Sequence, residues 1–520
     1  MTSAVLPNST RHARLGALTA GLIEAPAALE VSDVTLDSRA VLPGALFLAC
    51  RGRGRHGAAF AGEALARGAR AVLYEPDDGA PELIEAALGG TPGARAGGSQ
   101  EAFVAPLAHL SHHAGLIADR FFGEPSQALT VAGITGTNGK TTCAWLLAQA
   151  LGRCDRPAAY MGTIGFGFPD ALADTEHTTS DAVTVHRRLA AMRTLGAEAV
   201  SMEVSSHALD QDRVGGVRFH TAAFTNLTRD HLDYHGTMAA YAEAKAGLFA
   251  WPGLATRVIN VDDEFGARLA GQVSPAQLVI TTRGSATPAM PPGARVVRAV
   301  RSAAAAAGLR LDVESSWGTA RLDVPLIGEF NADNALTVLA VLLAWDVPLT
   351  EATAALGSCR AAPGRMEAVA GGGAAPLVIV DYAHTPDALA KALRAARAHC
   401  RGRLRVVFGC GGDRDPGKRP MMGRIAAELA DELVVTDDNP RSESPERIVG
   451  QILTGIPAGI PVRVEHDRSR AIGTSIARSG PQDVVLIAGK GHEEYQIYGS
   501  ERRPFSDQSV ARAALEAMQP

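Results

Sequence analysis

The sequence is poor in aromatic residues and in cysteine, and neither sign of charge dominates. Phe, Trp and Tyr make up 5% of the 520 residues, and the formal net charge is −5. A base-stacking platform needs aromatic rings and a nucleic-acid-binding face needs a basic excess, so we expect no nucleic-acid partner. The six cysteines form no CxxC pair and are too few for a disulfide framework, which favours a reduced, cytoplasmic compartment.

A long hydrophobic run is also lacking. The densest apolar segment, residues 334–345, is too short to cross a bilayer and predicts a buried helix. The apolar stretch at residues 15–29 is interrupted by Glu24 and Pro26, which makes it a poor signal-peptide core. We interpret that stretch as an early amphipathic helix and expect no stable membrane insertion.

Glycine, in contrast, is abundant. The chain has 55 glycines, above the roughly 7% that is usual, and they show no collagen-like period. This excess predicts many tight turns and close backbone approaches, as in nucleotide-binding α/β proteins. The length predicts about three domains, which we place at residues 1–124, 125–362 and 363–520. The Gly-rich segment 89–100 is interpreted as a loop, and the alanine tract 303–307 as peripheral helix or loop.

Apolar runs of strand length predict where the sheets lie. In the first domain they fall within residues 34–50 and 69–76, and in the second at 129–134, 198–204 and 256–261. The third domain alternates strictly between helix-length segments and five such runs, LVIVD, LRVVFG, ELVVT, PVRVE and DVVLIAG. This alternation predicts an α/β fold with a parallel sheet, in which ligands bind at the carboxyl ends of the strands. Four polar motifs follow those ends directly: DYAHTPD, GCGGDRDPGKR, DDNPRSESP and GKGHEEY.

The sharpest motif is GITGTNGKTT, residues 133–142, between a predicted strand and a predicted helix. Glycines let backbone N–H groups wrap a phosphate, and the helix N-terminus adds partial positive charge. Lys140 would reach the β- and γ-phosphates of a nucleotide, and the Thr141 hydroxyl would bind Mg²⁺. The spacing departs from the strict P-loop, because five residues rather than four separate Gly133 from Gly139. The alternative is a glycine turn with a surface lysine.

The GTNGKT core resembles the phosphate loop of the Mur ligases, ATP-dependent amide-forming enzymes of peptidoglycan precursor synthesis, which share it with folylpolyglutamate synthases. The resemblance extends over essentially the whole chain and is weakest in the first 120 residues or so. It implies a three-domain α/β architecture. The N-terminal domain would bind UDP-MurNAc, the central domain would have a P-loop ATPase-like parallel sheet and bind ATP, and the C-terminal domain would be Rossmann-like and bind an amino acid.

Three residues of the central domain are candidates for a metal centre. Glu203 and His231 follow apolar strands, where a carboxylate and an imidazole can bind a divalent cation, although the two could equally be a satisfied structural pair. Lys245 lies in the helical pattern AEAKAGLF, where a solvated helix lysine is the alternative. The family resemblance implies that Lys245 is carbamylated and that it binds Mg²⁺ together with Thr141, Glu203 and His231, with two Mg²⁺ ions in the site.

The resemblance also implies the nucleotide contacts. Asn334 would meet adenine, Arg365 the phosphates, and Asp381 and His384 the ribose and phosphate. On the residues alone, Asn334 could be a capping or loop asparagine and Arg365 a surface ion pair. The full predicted ATP set also includes the loop residues Gly136, Thr137, Asn138, Gly139, Lys140, Thr141 and Thr142.

The UDP-MurNAc-dipeptide contacts are implied in the same way. Ser38, in LDSR, matches the uridine-binding start, and the loop at residues 50–57 has His56 where the family usually has Asp. The three arginines of that loop could bind diphosphate or be a solvated basic loop. An N-capping role for Ser205 is possible and could coexist with ligand binding. The remaining predicted contacts are Thr178, Thr179, Ser205, Gln211, Arg213 and Lys245.

The C-terminal domain contains Asp438-Asn439-Pro440-Arg441, which resembles the motif of the family members that add meso-diaminopimelate. Diaminopimelate has a second carboxylate, which a planar guanidinium binds bidentately, whereas lysine has none. A plain β-turn is the alternative, since Asn-Pro suits one. The resemblance implies that Arg414, Gly489 and Glu493 complete the site.

The family resemblance therefore implies an ATP-dependent ligase that adds meso-2,6-diaminopimelate to UDP-N-acetylmuramoyl-L-alanyl-D-glutamate through an acyl phosphate and a tetrahedral intermediate. We expect a monomer. Two alternatives are a folylpolyglutamate synthase, which would need neither the UDP-binding block nor DNPR, and a non-enzymatic nucleotide-binding regulator. The residues predicted to carry catalysis are Lys140, Glu203, His231, Lys245 and Arg365.

Overall fold

A computed structural model describes residues 11–52, 54–88, 102–175, 177–284, 291–305, 308–369 and 375–518. The predicted Gly-rich loop at 89–100 lies outside the described residues. The chain forms two compact units, whose described residues fall within Met1–Lys140, Asp155–Ile259 and Asp263–Leu278 for the first, and within Thr141–Cys154, Asn260–Asp262 and Val279–Pro520 for the second. The three domain boundaries drawn from the sequence stay predictions.

The N-terminal part of the first unit is built on a parallel sheet in the order β3-β4-β5-β6. The predicted strand regions at 34–50 and 69–76 are confirmed. The predicted helix over 15–29 is wrong beyond its first turn, because Gly21 adopts a left-handed φ of 78° and Pro26 cannot continue a helix. The elements are β1 (Ala13–Arg14), α1 (Leu15–Leu18), β2 (Glu30–Val31), β3 (Val34–Thr35), β4 (Leu46–Ala49), α2 (Ala61–Ala66), β5 (Ala71–Tyr74), α3 (Ala80–Ala87), β6 (Phe103–Pro106) and α4 (Leu110–Phe121).

The central stretch contains the strands predicted at 129–134, 198–204 and 256–261, all of which are confirmed. Its elements are β7 (Thr130–Thr135), α5 (Lys140–Arg153), β8 (Ala158–Gly162), β9 (Gly165–Phe168), β10 (Ala171–Ala173), α6 (Ala182–Thr194), β11 (Ala199–Glu203), α7 (Ser206–Asp210), β12 (Thr221–Phe224), α8 (Leu232–His235), α9 (Met238–Ala246), β13 (Thr256–Asn260), α10 (Glu264–Ala270) and β14 (Leu278–Thr282). In the first unit the order of the strands in the sheet is β10-β9-β8-β11-β7-β12-β13. The neighbours in the series β8-β11-β7-β12-β13 pair in parallel, and β9 pairs antiparallel with both β8 and β10.

In the second unit, β14 pairs in parallel with the first strand of an antiparallel group of three. This group is β15 (Arg295–Ala305), β16 (Gly308–Ser315) and β17 (Gly318–Val324), followed by α11 (Phe330–Ala344) and α12 (Leu349–Gly357). Helix α11 confirms the predicted buried helix. The prediction for the alanine tract is wrong at Ala303–Ala305, which pair with β16 down to Gly308, because the ladder overrides the helix preference of alanine.

The C-terminal part of the second unit confirms all five predicted strands, in the order β18-β19-β23-β20-β21-β22 with β19 to β22 parallel. Apolar clusters cover both faces of this sheet. The elements are β18 (Glu367–Ala368), β19 (Leu377–Asp381), α13 (Pro386–Arg397), β20 (Leu404–Phe408), α14 (Lys418–Leu429), β21 (Glu432–Val435), α15 (Pro445–Leu453), β22 (Val462–Val464), α16 (Arg468–Ala477), β23 (Val484–Ala488), β24 (Tyr495–Tyr498), β25 (Glu501–Pro504) and α17 (Asp507–Glu516).

The topology brings the four polar motifs to one edge of this sheet, because β19, β20, β21 and β23 are parallel and each motif begins where its strand ends. Within the described residues, no helix is long and apolar enough to cross a membrane. The predicted α/β fold with parallel sheets is therefore confirmed.

Candidate active site

The phosphate loop follows β7 and leads into α5, as predicted. Gly136 has φ +149°, and a Cβ there would collide with the hydroxyl of Thr225. The backbone of the loop is held by Asn226, whose carbonyl accepts from Thr137 N at 2.8 Å and whose side-chain oxygen accepts from Asn138 N at 3.0 Å. Glycine is thus required at 136 for a close approach of two backbone segments.

Two lysines converge on one carbonyl of this loop. Gly136 O accepts from Lys140 Nζ at 2.8 Å and from Lys245 Nζ at 2.9 Å, and Lys140 Nζ also donates to Thr137 O at 2.9 Å. Lys245 is 1% exposed and its Nζ lies 4.5 Å from the ring centroid of Tyr241. The solvated-lysine alternative is therefore wrong for Lys245, whereas Lys140 is half-buried. The cationic Lys140 beside a glycine loop fits an anion such as phosphate.

The environment of Lys245 disfavours its charged form. Burial lowers the pKa of Lys245 well below its ordinary value, and the neighbouring positive charge of Lys140 lowers it further, while Asp230 acts in the opposite direction. No carboxylate forms an ion pair with Lys245 in the part of the chain that the structure describes. The amine is thus held in a site where its neutral, nucleophilic form is favoured.

Glu203 is fully buried at the end of β11, as its strand-end position predicts. Its Oε1 accepts from the hydroxyl of Tyr160 and, at 2.8 Å, from Thr163 N, and its Oε2 accepts from Thr163 Oγ1 at 3.1 Å. Gly162 lies so close that a Cβ there would collide with the carboxylate. Tyr160 and Thr163 are neighbours of this candidate ligand that no motif in the sequence indicates.

The predicted substrate residues of the first unit form one hydrogen-bonded group around Glu203. Thr163 Oγ1 lies within hydrogen-bonding distance of Thr178 Oγ1, at 3.0 Å, and Thr179 Oγ1 donates to Glu203 O at 2.9 Å. Arg213 Nη1 donates to Thr179 O at 3.0 Å. The structure therefore brings Thr178, Thr179, Glu203 and Arg213 together.

Ser205 and Gln211 lie in the same group. Ser205 Oγ accepts from Ala208 N at 3.1 Å, so the N-capping role is confirmed, and Ser205 N donates to Thr179 Oγ1 at 3.2 Å. Gln211 Oε1 accepts from Arg213 Nη2 at 2.7 Å. These bonds fix the orientation of the Arg213 guanidinium, which is the group suited to an anionic ligand.

His231 is less constrained than Glu203. Its side chain is 45% exposed, its φ is +52°, and its Nε2 lies 3.5 Å from Asp230 Oδ2. The ring packs edge-on against His207, with the centroids 4.9 Å apart. Among the described residues, no group of three or more His, Cys, Asp or Glu side chains is arranged to hold a metal ion. The predicted set of metal ligands therefore stays a prediction. Whether these residues suit a cation depends on the charge of the Lys245 side chain.

The residues predicted to contact the uridine diphosphate end of the UDP-MurNAc-dipeptide lie in the N-terminal part of the first unit. Ser38 is 6% exposed and its hydroxyl donates to Glu63 Oε2 at 2.7 Å. His56 is 9% exposed, and its Nδ1 accepts from Ala58 N at 3.0 Å at the start of a short 3₁₀ turn. An imidazole nitrogen thus does the capping that a carboxylate could do at this position. Arg53 of the same loop lies outside the described residues.

Asn334 belongs to the second unit, and its amide is engaged inside the protein. It is 4% exposed in α11, its Nδ2 donates to Asn331 Oδ1 at 2.7 Å, and its Oδ1 accepts from Cys143 Sγ at 3.4 Å. Thr141 and Thr142, at the start of α5, are likewise buried. The capping alternative for Asn334 is wrong, since the residue lies within the helix.

Arg365 and Asp381 are joined through the backbone. Asp381 accepts from Met366 N at 2.8 Å and from Ala383 N at 2.9 Å, and the Arg365 guanidinium lies 4.9 Å from the Tyr382 ring centroid. Burial raises the pKa of Asp381, against the opposing effect of Arg365. His384 is exposed and its Nδ1 lies 2.9 Å from Tyr382 O.

The segment that contains Arg365 packs tightly on the GKGHEEY loop. A Cβ on Gly364, whose φ is +66°, would collide with the backbone of Gly491 and His492. Burial, and secondarily Arg365, lowers the pKa of His492 to about 4, so a neutral imidazole stands next to the guanidinium. This contact between two sequence-distant motifs could not be read from the sequence.

The DNPR motif begins three positions after Val435, the last residue of β21, and its backbone is hydrogen-bonded to the hairpin β24–β25. Arg441 has φ +53°, its N donates to Ile497 O at 3.0 Å, and its Nη1 donates to Gly412 O at 2.8 Å. Asn439 Nδ2 donates to Glu493 Oε2 at 2.9 Å. The structure thus brings Asn439, Arg441 and Glu493 to the same end of the sheet.

The other predicted acceptor residues fall at the same end. Asp438 and Pro440 are buried, and Arg414 is exposed. Gly489 has φ +122°, and a Cβ there would approach Asp438 Oδ2 to 2.6 Å, so only glycine allows the two loops to meet this closely.

Three buried cations near these loops were missed in the sequence. Arg419 is fully buried and donates to Gly411 O at 3.0 Å and to Glu443 Oε1 at 2.8 Å. Arg468 and Lys490 are equally buried and hold the strand ends of β21 and β23 through side-chain and carbonyl contacts. Two of the three could have been found from the sequence, because Arg419 and Lys490 lie inside two of the strand-end motifs.

Three family models match the chain: the Mur ligase middle domain over residues 134–342, the Mur ligase, glutamate ligase domain over 364–491, and the Mur ligase family, catalytic domain over 30–93. The chain is 49% identical over 492 residues to the UDP-N-acetylmuramoyl-L-alanyl-D-glutamate–2,6-diaminopimelate ligase of Chromobacterium violaceum, covering 94% of this chain and 95% of that one. It is 46% identical over 489 residues to the ligase of the same name from Pseudomonas aeruginosa, covering 94% and 96%.

Solved structures agree with these matches. A structure of a UDP-N-acetylmuramoyl-L-alanyl-D-glutamate–2,6-diaminopimelate ligase is similar with a TM-score of 0.69 and 33% identity, covering 98% of this chain and 99% of that one. A Mycobacterium tuberculosis folylpolyglutamate synthase complexed with ADP and AMPPCP has a TM-score of 0.56 and 18% identity, covering 78% and 94%. The second similarity concerns the fold alone.

Proposed function

The chain belongs to the Mur ligase family, and on that premise we propose that it is an ATP-dependent ligase that joins meso-2,6-diaminopimelate to UDP-N-acetylmuramoyl-L-alanyl-D-glutamate. The observation that carries this proposal is the meeting of Asn439, Arg441 and Glu493 at one end of the C-terminal sheet, in a chain 49% identical over 94% of its length to a ligase of that name. The reaction would serve peptidoglycan precursor synthesis, with release of ADP and phosphate.

The nucleotide would bind at the glycine loop. Lys140 supplies a positive charge beside the backbone of Gly136 and Thr137, and the loop N–H groups and the start of α5 supply further donors. In the second unit, Arg365 would contact phosphate, while Asp381 holds the backbone of Met366 next to it. Asn334 and His384 are proposed for adenine and ribose or phosphate. For Asn334 to contact adenine, its amide would have to give up a hydrogen bond that it makes to Asn331 or to Cys143.

The substrate with the free carboxylate would bind along the hydrogen-bonded group of the first unit. Arg213, oriented by Gln211 and Thr179, provides a cation for its carboxylate or diphosphate. The proposed contacts are Ser38, Thr178, Thr179, Ser205, Gln211 and Arg213.

The acceptor would bind at the strand ends of the second unit. Arg441 and Arg414 are the cations for the distal carboxylate, and Glu493 is the anion for the amino group at the same end. Asp438, Asn439, Pro440 and Gly489 shape the loops between them. L-lysine lacks the distal carboxylate, so an arginine at this place would select against it.

The chemistry would run in two bond-forming stages. The γ-carboxylate of D-glutamate attacks the γ-phosphate of ATP and gives an acyl phosphate and ADP. The acceptor amine then attacks the acyl carbon, and the tetrahedral intermediate expels phosphate and leaves the amide. Lys140 and Arg365 would stabilise the negative charge on the transferred phosphoryl group, and the fixed loops would hold the reacting atoms in position.

Lys245 is proposed to be carbamylated. The lone pair of its neutral amine attacks the carbon of CO₂, the amine loses a proton, and the product is an anionic carbamate. The downward shift of the Lys245 pKa and the absence of an ion-paired carboxylate in the described residues support this reaction, since a charged ammonium has no lone pair to offer.

The carbamate also determines whether magnesium fits. An ammonium at Lys245 would repel a cation, whereas a carbamate adds oxygen ligands of the kind that Mg²⁺ prefers. Thr141, Glu203, His231 and the modified Lys245 are the residues that would hold the two Mg²⁺ ions, which neutralise phosphate charge when bound.

The first experiment is phosphate release from ATP with Mg²⁺ and UDP-N-acetylmuramoyl-L-alanyl-D-glutamate, with meso-diaminopimelate or L-lysine as acceptor. We expect strong stimulation by diaminopimelate alone. Stimulation by lysine alone would retain the family and contradict the role of DNPR. No stimulation by either would contradict the proposed function, and a folate acceptor would then test the folylpolyglutamate synthase alternative.

The acceptor assignment is tested by Arg441→Ala. Loss of a charge-assisted bidentate contact is expected to raise the KM for diaminopimelate roughly 10- to 100-fold, with the KM for ATP nearly unchanged. Arg403→Ala is the matched control, since Arg403 is exposed at the start of β20, at the other end of the sheet. An equal rise of both KM values in Arg441→Ala would contradict the assignment.

We also propose that the protein works in the cytoplasm as a monomer. The six cysteines are all free, which suits a reducing compartment. Sedimentation of the purified protein would test the monomer.

A further inference from the structure

A buried lysine ties together two of the side chains proposed to bind the acceptor. Lys490 has no exposed side-chain surface, although it lies in a loop that begins where β23 ends. Its Nζ donates to Asn439 Oδ1 at 3.1 Å and to Glu493 Oε2 at 3.0 Å. A buried ammonium keeps its charge at low cost only where such partners are fixed around it, so the three side chains form one arrangement.

The network also fixes the orientation of the Asn439 amide. Its Oδ1 accepts from Lys490 Nζ and, at 3.0 Å, from Ile497 N, while its Nδ2 donates to Glu493 Oε2 at 2.9 Å. A flipped amide would place its NH₂ against two donors and its oxygen against a carboxylate. Only one orientation satisfies every group.

The two oxygens of Glu493 are thereby made different. Oε2 accepts from both Lys490 and Asn439, whereas Oε1 accepts no hydrogen bond from any residue that the structure describes. Oε1 is therefore the oxygen left for a cationic ligand. The side chain of Glu493 is 17% exposed, so the free oxygen has access to a small molecule.

We propose that Lys490 is a positioning residue for the acceptor amino acid, which holds Glu493 so that Oε1 receives the acceptor's ammonium group. This inference rests on the proposed function, and it extends that function by assigning a role to a residue that does not itself touch the ligand. Lys490 acts on diaminopimelate only through Glu493 and Asn439.

The test is the kinetics of Lys490→Met in the full-length enzyme, with meso-diaminopimelate and ATP varied separately. We expect the KM for diaminopimelate to rise about tenfold or more, as for loss of one hydrogen bond to a charged group, and the KM for ATP to change less than about twofold. In a Glu493→Gln background, Lys490→Met should add little to the KM for diaminopimelate, because the residue through which it acts is already altered.

Arg405→Met is the matched control. Arg405 is 7% exposed and is paired with Glu432 at 2.6 Å and with Asp483 at 3.0 Å, in the same sheet but at the start of β20. Removing it also disrupts a buried ion pair. We expect lower stability from this variant without a selective change in the KM for diaminopimelate.

The outcomes separate this inference from the proposed function. If wild type releases phosphate with diaminopimelate and Lys490→Met shifts both KM values equally, or shifts them as Arg405→Met does, the positioning role is wrong and the function stands. If wild type shows no response to diaminopimelate, the function itself is wrong. Lys490→Gln is the second variant, and failure of both to fold, measured by thermal unfolding, would assign Lys490 to the stability of the unit and overturn the proposal.

Discussion

Two buried lysines, one in each unit, have opposite surroundings. Lys245 is 1% exposed, donates to a single carbonyl, and has the positive charge of Lys140 as a neighbour. Lys490 is 0% exposed and has a carboxylate and an amide oxygen within 3.1 Å. The two side chains are equally hidden from water, so they differ in their charged and polar neighbours and not in burial.

The difference lies in the counter-charge. A buried ammonium without a paired carboxylate is driven toward its neutral form, which is a nucleophile. A buried ammonium beside a carboxylate instead forms part of a rigid polar network. The surroundings of Lys245 therefore contain positive charge without a paired carboxylate, whereas the loop that contains Lys490 has its own paired charges.

The largest effect is expected where a paired buried charge loses its partner. Arg468 and Asp507 are both 0% exposed and are joined at 2.7 and 2.8 Å. Arg468→Met should lower the free energy of unfolding by about 3–5 kcal/mol, because it leaves Asp507 as an uncompensated buried charge. Urea unfolding measures this loss.

The double variant Arg468→Met/Asp507→Leu provides the control for that measurement. It should recover much of the lost stability, since neither charge then remains buried. If Arg468→Met alone is as stable as wild type, the comparison fails. Loss of the partner of the buried Asp507 would then have no effect on the free energy of unfolding.

On the unpaired side of the comparison, Lys245→Met should reduce phosphate release about 10²–10³-fold, as for loss of one charge-stabilising group at a reaction centre. Lys391→Met is the control, because Lys391 is half-exposed and paired with Asp387 on a helix surface. A variant of Lys245 with normal activity would show that its amine has no part in the reaction.

A smaller effect is expected in the pH dependence of stability. Because the pKa of Lys245 is lowered in the native state, the unfolded chain binds more protons between the lowered pKa and the ordinary lysine value. The free energy of unfolding should therefore rise with pH across that window, by at most about 1.4 kcal/mol per pH unit. The contribution is complete above the ordinary value and is lost as the pH falls through the lowered one.

Urea unfolding of wild type and Lys245→Met at a series of pH values, in CO₂-free buffer, measures this slope. The variant should lack the rise that wild type shows. Identical slopes in the two proteins would mean that burial does not shift the proton affinity of Lys245, and the contrast with Lys490 would then be one of geometry only.

The smallest effect is expected for an ion pair in water. Arg268 and Glu264 are joined at 2.6 Å on α10, with 61% and 90% of their side chains exposed. Arg268→Ala should change the free energy of unfolding by no more than about 0.5 kcal/mol. Thermal unfolding measures this change. A loss of stability as large as that of Arg468→Met would contradict the view that an ion pair is costly to break because it is buried.

The sequence was informative where apolar residues repeat. The strands β7, β11, β13 and the five parallel strands of the C-terminal sheet fell where the apolar runs predicted them. Most of these strands are buried on both faces and are therefore rich in apolar residues, whereas the edge strand β22 is partly exposed. The predicted helix over 15–29 ends at Leu18, because an apolar stretch does not reveal the left-handed backbone that follows at Gly21.

Charged residues were harder to assign. Arg419, Arg468 and Lys490 look in the sequence like any solvated arginine or lysine, and only the folded chain shows that each is buried and paired. The sequence predicted correctly that the four motifs follow the ends of strands, and the strand order brings them to one edge of the sheet. They could not indicate which of their charges face a ligand and which hold the loops in place, because that depends on partners 3 to 54 residues away.

The bond between Arg468 and Asp507 has a consequence for how such a sequence can vary over evolutionary time. The two positions are 39 residues apart, yet loss of the charge at either one leaves the other as an uncompensated buried charge. A substitution at one creates selection for a compensating substitution at the other. In an alignment of relatives we therefore expect these columns to change together, with Arg–Asp exchanged as a pair for two uncharged residues, and rarely one at a time.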